Sequence, residues 1–159
     1  MADLVSRTAH AEDDAELWAL ITHPKIRDAV SCDDVAVDIP GGPPAPQPRW
    51  RLIYQGSTLV GFWAFTYRNP VCWEAHVALL PQMRGRKLSD SVFRSMLAWL
   101  WKETKVERLV AEIPCYNRLA IAYARRNGMT MYGRNVQCWK KNGKLWDCVL
   151  MGISRPEKS

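Results

Sequence analysis

The stretch Pro81–Asp90, PQMRGRKLSD, places three cations around one glycine, between an apolar run and an amphipathic run. The cations are Arg84, Arg86 and Lys87, and the glycine is Gly85. This position is typical of a strand-to-helix turn, and a helix start offers unpaired backbone N–H donors and a partial positive charge. We therefore predict that the turn binds a phosphate or diphosphate, with a solvated basic loop as the alternative.

A possible acid–base pair, Glu74 and His76, lies just before this turn in the stretch WEAHVALL. Residues two apart on a β-strand share one face, so the two side chains are expected to be neighbours. Carboxylates and imidazoles are common general bases in enzymes. The pair is thus a candidate proton acceptor, and the alternative is an ordinary polar pair on a half-exposed strand.

Length and charge limit the class of protein. At 159 residues the chain is predicted to form a single domain, 1–159, with a proline-rich loop over 38–48. The net charge of +6 and the isoelectric point of about 9.2 favour a polyanionic partner, either a phosphorylated cofactor or a nucleic acid. The sequence has neither an apolar run of membrane-spanning length nor the pattern of a signal peptide, so we predict no membrane partner.

The five cysteines are scattered along the chain without a C-x-x-C pair. An odd, unclustered set is typical of reduced thiols in a cytoplasmic protein and argues against a zinc site. His10 and His23 have no partners at the spacing of metal ligands. We therefore predict a cytoplasmic protein and assign no metal.

Hydrophobic periodicity predicts the element order β-α-α-β-β-β-α-β-α-β-β, which is an α+β fold built on one mixed sheet of six or seven strands. Turns are expected at Gly56 and at Asn142-Gly143. A late helix is expected to begin at an Asn117 cap and to end at Gly128. The strand–helix–strand unit between Cys72 and Ile113 predicts a parallel pair with a crossover helix.

This order, with a basic turn after the fourth strand, resembles the GNAT family, the acetyl-CoA-dependent N-acetyltransferases. The family has a stretch of the form h-P-x-x-R-G-x-G-x-G/A there, and Pro81, Arg84 and Gly85 match it. Lys87 and Ser89 stand where the family usually has glycines. A second family stretch is matched at its spacing by Asn117, Ala120, Ile121 and Gly128.

The resemblance implies a mostly antiparallel sheet with a splayed central parallel pair, helices on both faces, and acetyl-CoA as co-substrate with its pantetheine arm in the gap. The diphosphate is then expected on the turn, where Lys87 could pair with a phosphate and the Ser89 hydroxyl could donate to one. Asp90 would add an unfavourable negative charge. The implied cofactor-binding residues are Leu79, Arg84, Gly85, Arg86, Lys87, Leu88, Ser89 and Asn117.

The resemblance also implies catalytic roles. In many family members a glutamate on this strand is the general base, and Glu74 resembles it, with His76 as the second candidate. The usual general acid is a tyrosine at the position that Ala124 occupies here. Tyr123 lies one place earlier, about 100° around the helix, so its hydroxyl is expected to point in a different direction. Other candidates for the acid are Tyr116 and Tyr132.

Three functions remain open at this point. The first is transfer of an acetyl group to a small-molecule or protein amine. The second is action on nucleic acid, by base modification or aminoacyl-tRNA acetylation, with the basic stretches ARRN and KKNGK contacting phosphates. The third is a non-catalytic CoA-binding module, which the substituted glycines and tyrosine would allow.

Two further features are less decisive. The aromatic residues of the stretches GFWAF and WLW are expected in the core. Trp63, Phe65 and Trp139 are candidates to line an acceptor pocket, with stacking on bases as the alternative. The sequence leaves open whether the chain is a monomer or a homodimer.

Overall fold

The computed structural model describes residues 4–33, 49–84 and 86–157. The predicted proline-rich loop at 38–48 and the predicted cofactor contact Gly85 lie outside these residues. Within the described part, no helix is both long enough and apolar enough to cross a membrane.

Seven strands form one mixed sheet in the order β1-β2-β3-β4-β5-β7-β6. The strands are β1 (Leu4–Thr8), β2 (Arg49–Gln55), β3 (Thr58–Asn69), β4 (Cys72–Leu79), β5 (Arg108–Pro114), β6 (Thr130–Lys141) and β7 (Lys144–Ser154). The helices are α1 (Asp14–Ile21), α2 (Pro24–Val30), α3 (Arg86–Glu103) and α4 (Arg118–Arg126), with short 3₁₀ turns at Ala11–Asp13 and Pro81–Met83. The predicted α+β class, strand number and element order are confirmed.

Local signals in the sequence set several element ends. Pro24 is the first residue of α2, where its missing N–H costs nothing. The Asn117 side chain accepts a hydrogen bond of 3.2 Å from the backbone N–H of Ala120 and so caps α4. Gly128 follows α4 with φ +91°, and Asn142-Gly143 joins β6 to β7 with φ values of 52° and 73°.

Helices cover both faces of the sheet, as predicted. One face packs against α3 and α4 through a core that includes Trp63, Phe65 and Met96. The opposite face packs against α1 and α2 through a smaller core that includes Leu17 and Leu52. Strands β2, β3 and β4 therefore present alternate side chains to two separate cores.

Among the described residues, β4 and β5 are the one parallel pair of neighbouring strands, and they separate partway along their length. They pair at Cys72–Arg108, Trp73–Leu109 and Glu74–Val110. Beyond Glu74, β4 continues to Leu79 alongside β3, and beyond Val110, β5 continues alongside β7. The predicted splay of the central pair is confirmed, and it opens a gap in the middle of the sheet.

Candidate active site

A cavity occupies the gap between β4 and β5, next to α4. Its walls combine apolar side chains from β3, β4, β5, α3 and α4 with a few polar groups. The apolar wall includes Trp63, Ala75, Val77, Phe93, Ile113 and Ala124, and the polar groups include His76, Glu112 and Asn117. A mostly apolar cavity with a few polar groups suits a flexible, mixed-polarity arm such as pantetheine.

The indole N–H of Trp63 supports this fit. Trp63 is 2% exposed and lines the cavity, and its Nε1 is buried without a hydrogen-bond partner among the described residues. Buried donors are rarely left unpaired, because no hydrogen bond then offsets the free-energy cost of removing the donor from water. An amide or carbonyl oxygen in the cavity would satisfy this donor, and pantetheine and a thioester both carry such oxygens.

The basic turn lies where β4 gives way to α3. Arg84 is exposed, and its Nε donates a hydrogen bond of 3.0 Å to the carbonyl of Leu79, the last residue of β4. Lys87 in the first turn of α3 is also exposed. Ser89, in contrast, is 4% exposed, so its hydroxyl is buried rather than presented at the surface. The cationic surface of this turn therefore includes Arg84 and Lys87.

The sequence predicted that Asp90 would add an unfavourable negative charge, but the structure pairs this carboxylate with a cation. Arg126 at the end of α4 contacts both of its carboxylate oxygens, at 2.8 to 3.1 Å, and Asn127 donates to Oδ1 at 3.1 Å. The hydrogen bonds from Arg126 lower the pKa of Asp90. Its charge is thus neutralised locally, and the same contacts join the start of α3 to the end of α4.

Tyr123 makes a second link between these helices. Its hydroxyl donates a hydrogen bond of 2.8 Å to the carbonyl of Ser89, and its ring packs edge-on against Phe93 at 5.7 Å. Burial raises the pKa of Tyr123. The ring lines the cavity while the hydroxyl points to α3, which agrees with the altered direction expected from its place in the sequence.

Glu74 and His76 share one face of β4, as predicted from their spacing. Arg68 on β3 holds Glu74 Oε2 through Nε at 2.9 Å and Nη2 at 2.6 Å. Glu74 Oε1 lies 3.6 Å from His76 Nε2, close enough for an ion pair with a protonated imidazole. The Glu74 side chain is 12% exposed and that of His76 is 50% exposed, so the imidazole is the more accessible of the two.

Glu112 on β5 completes this polar face, and sequence reasoning missed it. It lines the cavity beside His76, and its Oε2 lies 3.9 Å from Arg68 Nη2. The one signal in the sequence was a carboxylate in the middle of the mostly apolar strand RLVAEIP. Arg68 thus stands between two carboxylates on neighbouring elements, an arrangement that only the tertiary structure reveals.

The other candidate aromatic groups are distributed as follows. Tyr116 accepts a hydrogen bond of 3.0 Å from Trp139 Nε1, and Trp139 lines the cavity. Tyr132 is 49% exposed on β6 and stacks with Arg108 at 5.2 Å. Phe65 is fully buried in the α3 core and so lines no acceptor pocket.

Two of the cations expected to contact nucleic acid are already engaged. Arg126 is paired with Asp90 at 2.8 Å, and Lys141 is paired with Asp28 at 3.1 Å. Lys144 lies over the ring of Trp146 at 4.0 Å. The basic stretches therefore serve in part to join elements of the fold, which reduces their value as evidence for a phosphate-binding surface.

Residues 34–129, more than half of the chain, match the family model of the acetyltransferase (GNAT) family. The chain belongs to this family, and it is an acyltransferase by class. The predicted family membership and enzyme class are confirmed.

Solved structures of N-acetyltransferases share the fold over almost the whole chain. A spermidine N-acetyltransferase from Vibrio cholerae in complex with CoA and spermine is 15% identical, with a TM-score of 0.79 over 96% of this chain and 95% of that one. A GNAT acetyltransferase from Streptococcus pneumoniae is 15% identical, with a TM-score of 0.76 over 96% and 100%. A putative phosphinothricin N-acetyltransferase is 15% identical, with a TM-score of 0.75 over 98% and 100%.

Proposed function

We propose that this protein transfers an acetyl group from acetyl-CoA to the nitrogen of an amine that reaches the site as an ammonium ion. The observation that carries the proposal is the separation of β4 and β5 after Glu74–Val110, with a cavity in the gap and the start of α3 beside it. Family membership supports the reaction class, and the neighbouring structure with CoA supports the co-substrate.

The cofactor end of the site is the basic turn. Backbone N–H groups at the start of α3 and the side chains of Arg84 and Lys87 would bind the diphosphate by hydrogen bonds and charge. The Arg126–Asp90 pair favours this binding, because it removes the repulsion that a bare carboxylate would exert. Asn117 and the Trp63 N–H lie at the cavity, where they would hold the pantetheine arm. Leu79, Leu88 and Ser89 would contribute main-chain and packing contacts.

The acceptor end is the polar face of Glu74, His76 and Glu112. The two carboxylates share one guanidinium, that of Arg68, so the face keeps a net negative charge that favours an incoming ammonium group over a neutral or anionic one. We assign His76 as the proton acceptor, because its side chain is 50% exposed and lines the cavity. Glu74, fixed by Arg68, would stabilise the imidazolium that forms. Loss of the proton leaves the amine lone pair free to attack the thioester carbonyl.

The named acceptors of the structural neighbours support an amine without identifying it. Spermidine and phosphinothricin are both amines, although they differ in charge and size. The acidic face of the present site is closer to what a polycationic amine requires. We therefore place polyamines first among the acceptors, followed by small primary amines and by protein N-termini or lysines.

The function is tested by measuring CoA release with a panel of polyamines, amino acids and short peptides, with mass spectrometry of each product. We expect acetylation of at least one cationic amine and loss of the activity in His76→Gln. Thermal stabilisation by acetyl-CoA should be retained in that variant. A chain that binds acetyl-CoA but acetylates none of the amines would contradict the proposed activity and would favour the CoA-binding module.

A further inference from the structure

Three potential metal ligands from three different strands meet beside the cavity. They are Glu112 on β5, Cys138 on β6 and Cys148 on β7. One carboxylate oxygen and the two sulfurs all lie within 4.8 Å of one another. Among the described residues, this is the one group of three or more His, Cys, Asp or Glu side chains with such a spacing.

An irregularity in β6 brings Cys138 into this cluster. The pairing of β6 with β7 shifts between Asn135–Cys148 and Trp139–Trp146, so that three residues of β6 face a single residue of β7. Gln137 in this bulge has φ 50°, and its N–H donates to Asp147 Oδ1 at 2.9 Å. A non-glycine residue held at positive φ is uncommon, and such conformations concentrate at functional sites.

The carboxylate is already oriented toward the sulfurs. Glu112 Oε1 lies 3.3 Å from Cys138 Sγ and accepts a hydrogen bond of 2.8 Å from Asn135 Nδ2. Glu112 Oε2 lies toward Arg68 instead, at 3.9 Å. Asn135 therefore fixes the carboxylate in the manner of the outer hydrogen bonds that orient metal ligands.

The spacing between the Cys138 sulfur and the Glu112 oxygen fits a tetrahedral thiophilic ion, and all three ligand atoms lie within 4.8 Å of one another. Bond lengths of about 2.3 Å to sulfur and 2.1 Å to oxygen place two such ligand atoms about 3.6 Å apart at tetrahedral angles. The observed separation of 3.3 Å between Cys138 Sγ and Glu112 Oε1 is close to this value. Cys148 is fully buried and Cys138 is exposed, so the site is closed on one side and accessible on the other.

We propose that Glu112, Cys138 and Cys148 form a binding site for a soft divalent cation, Zn²⁺ or Cd²⁺, at the edge of the active-site cavity. Each thiol releases its proton to solvent as its sulfur binds the ion. Three protein ligands leave a fourth tetrahedral position for water. The metal site shares Glu112 with the acceptor end, but its evidence is the ligand geometry alone and does not depend on the proposed acetyl transfer.

The test is metal binding to the full chain with its thiols kept reduced. Zn²⁺ is titrated against a competing chromophoric chelator, and Cd²⁺ is titrated while the ultraviolet thiolate-to-cadmium absorption is recorded. The wild type should bind one equivalent of each ion and show the thiolate band. Cys138→Ser is the main variant, because Cys138 is exposed and its replacement should not disturb the core.

Loss of one ligand should weaken binding by at least tenfold to a hundredfold, the range observed when only a hydrogen-bond partner of a metal ligand is changed. Glu112→Gln should weaken zinc binding while it keeps the cadmium thiolate band. Cys32→Ser is the matched control, since Cys32 is a free cysteine outside the cluster, and it should bind as the wild type does. The proposal is overturned if the reduced wild type binds no stoichiometric zinc, or if Cys138→Ser binds it with unchanged affinity.

Discussion

At the scale of single residues, the functional question is which side chain of the polar face takes the proton from the amine. Glu74 carries an ion pair to Arg68 on one carboxylate oxygen and approaches His76 with the other. An accessible imidazole beside a fixed carboxylate is a common arrangement for a general base. The two side chains therefore have different expected roles, and substitution can separate them.

For the base, we expect His76→Gln to lower kcat on the order of a hundredfold, the usual cost of losing a general base. The acidic limb of the pH–rate profile should be absent in the same variant. Glu74→Gln should be less damaging than His76→Gln, because the imidazole that takes the proton is still present. Kinetics of both variants over a pH series check this. A greater loss in Glu74→Gln, with the limb abolished there instead, would make Glu74 the base.

For Tyr123, we expect Tyr123→Phe to affect stability more than chemistry. The hydroxyl donates to the Ser89 carbonyl, and loss of one such hydrogen bond should lower Tm by about 2–4 °C. The value of kcat should change less than tenfold, and KM for acetyl-CoA should rise, since the start of α3 is less firmly held. A hundredfold fall in kcat with Tm unchanged would instead identify Tyr123 as the general acid.

At the scale of elements, the cofactor end of the site depends on how α3 is anchored. The Asp90–Arg126 and Tyr123–Ser89 contacts both connect its first turns to α4. The splay of β4 from β5 places the same helix start beside the cavity. The proposed binding of the diphosphate would thus depend on the packing of two helices as well as on the charge of the turn.

The charge of the turn is tested with the double variant Arg84→Ala, Lys87→Ala. Acetyl-CoA should raise the Tm of the wild type by mass action, and this shift should be lost in the double variant. The Tm without ligand should fall by no more than about 2–4 °C, because exposed charges contribute little and Arg84 loses one hydrogen bond to the Leu79 carbonyl. Thermal denaturation with and without acetyl-CoA measures both quantities.

Lys102→Ala, Lys105→Ala is the matched control for that experiment. It removes the same two positive charges near the opposite end of α3, where both side chains are exposed. It should keep the full shift in Tm on addition of acetyl-CoA. Equal loss of the shift in both double variants would mean that net charge, rather than the turn, governs cofactor binding.

At the scale of the whole molecule, stability at low pH depends on how the N-terminal elements join the sheet. Arg7 on β1 contacts both carboxylate oxygens of Asp13 at 2.6 and 2.7 Å, and the His10 N–H donates to the same carboxylate. The hydrogen bonds from Arg7 lower the pKa of Asp13 from 3.8 to about 2. A carboxylate with a lowered pKa in the folded state stabilises the fold above its unfolded pKa.

We therefore expect Asp13→Asn to lower Tm by about 2–4 °C at pH 7, a modest effect because Arg7 is 44% exposed and screened by solvent. The difference from the wild type should shrink as pH falls from about 4 toward 2, where the wild-type carboxylate takes up its proton. Thermal melts from pH 7 to pH 2.5 measure this. Asp14→Asn, at an exposed neighbouring position, is the control. A difference in Tm between Asp13→Asn and the wild type that stays constant with pH would refute the lowered pKa of Asp13.

The sequence by itself determined the order of elements and the place of the basic turn. Pro24, Asn117, Gly128 and the Asn142-Gly143 turn act through their own backbone geometry, so their effect can be read from a few adjacent residues. The shared face of Glu74 and His76 follows from strand periodicity alone. These features depend only on residues that are close together in the chain, so they can be predicted from the sequence alone.

The tertiary structure alone decided which distant side chains meet. Arg126 neutralises Asp90 from 36 positions away along the chain, and Glu112 and His76 line one cavity, which lies in the gap where β4 and β5 separate. The three side chains of the proposed metal site come from three strands, and a bulge in β6 is needed to align them. Such contacts depend on strand register and helix packing, which are set by the summed burial of the whole core rather than by any short stretch of sequence.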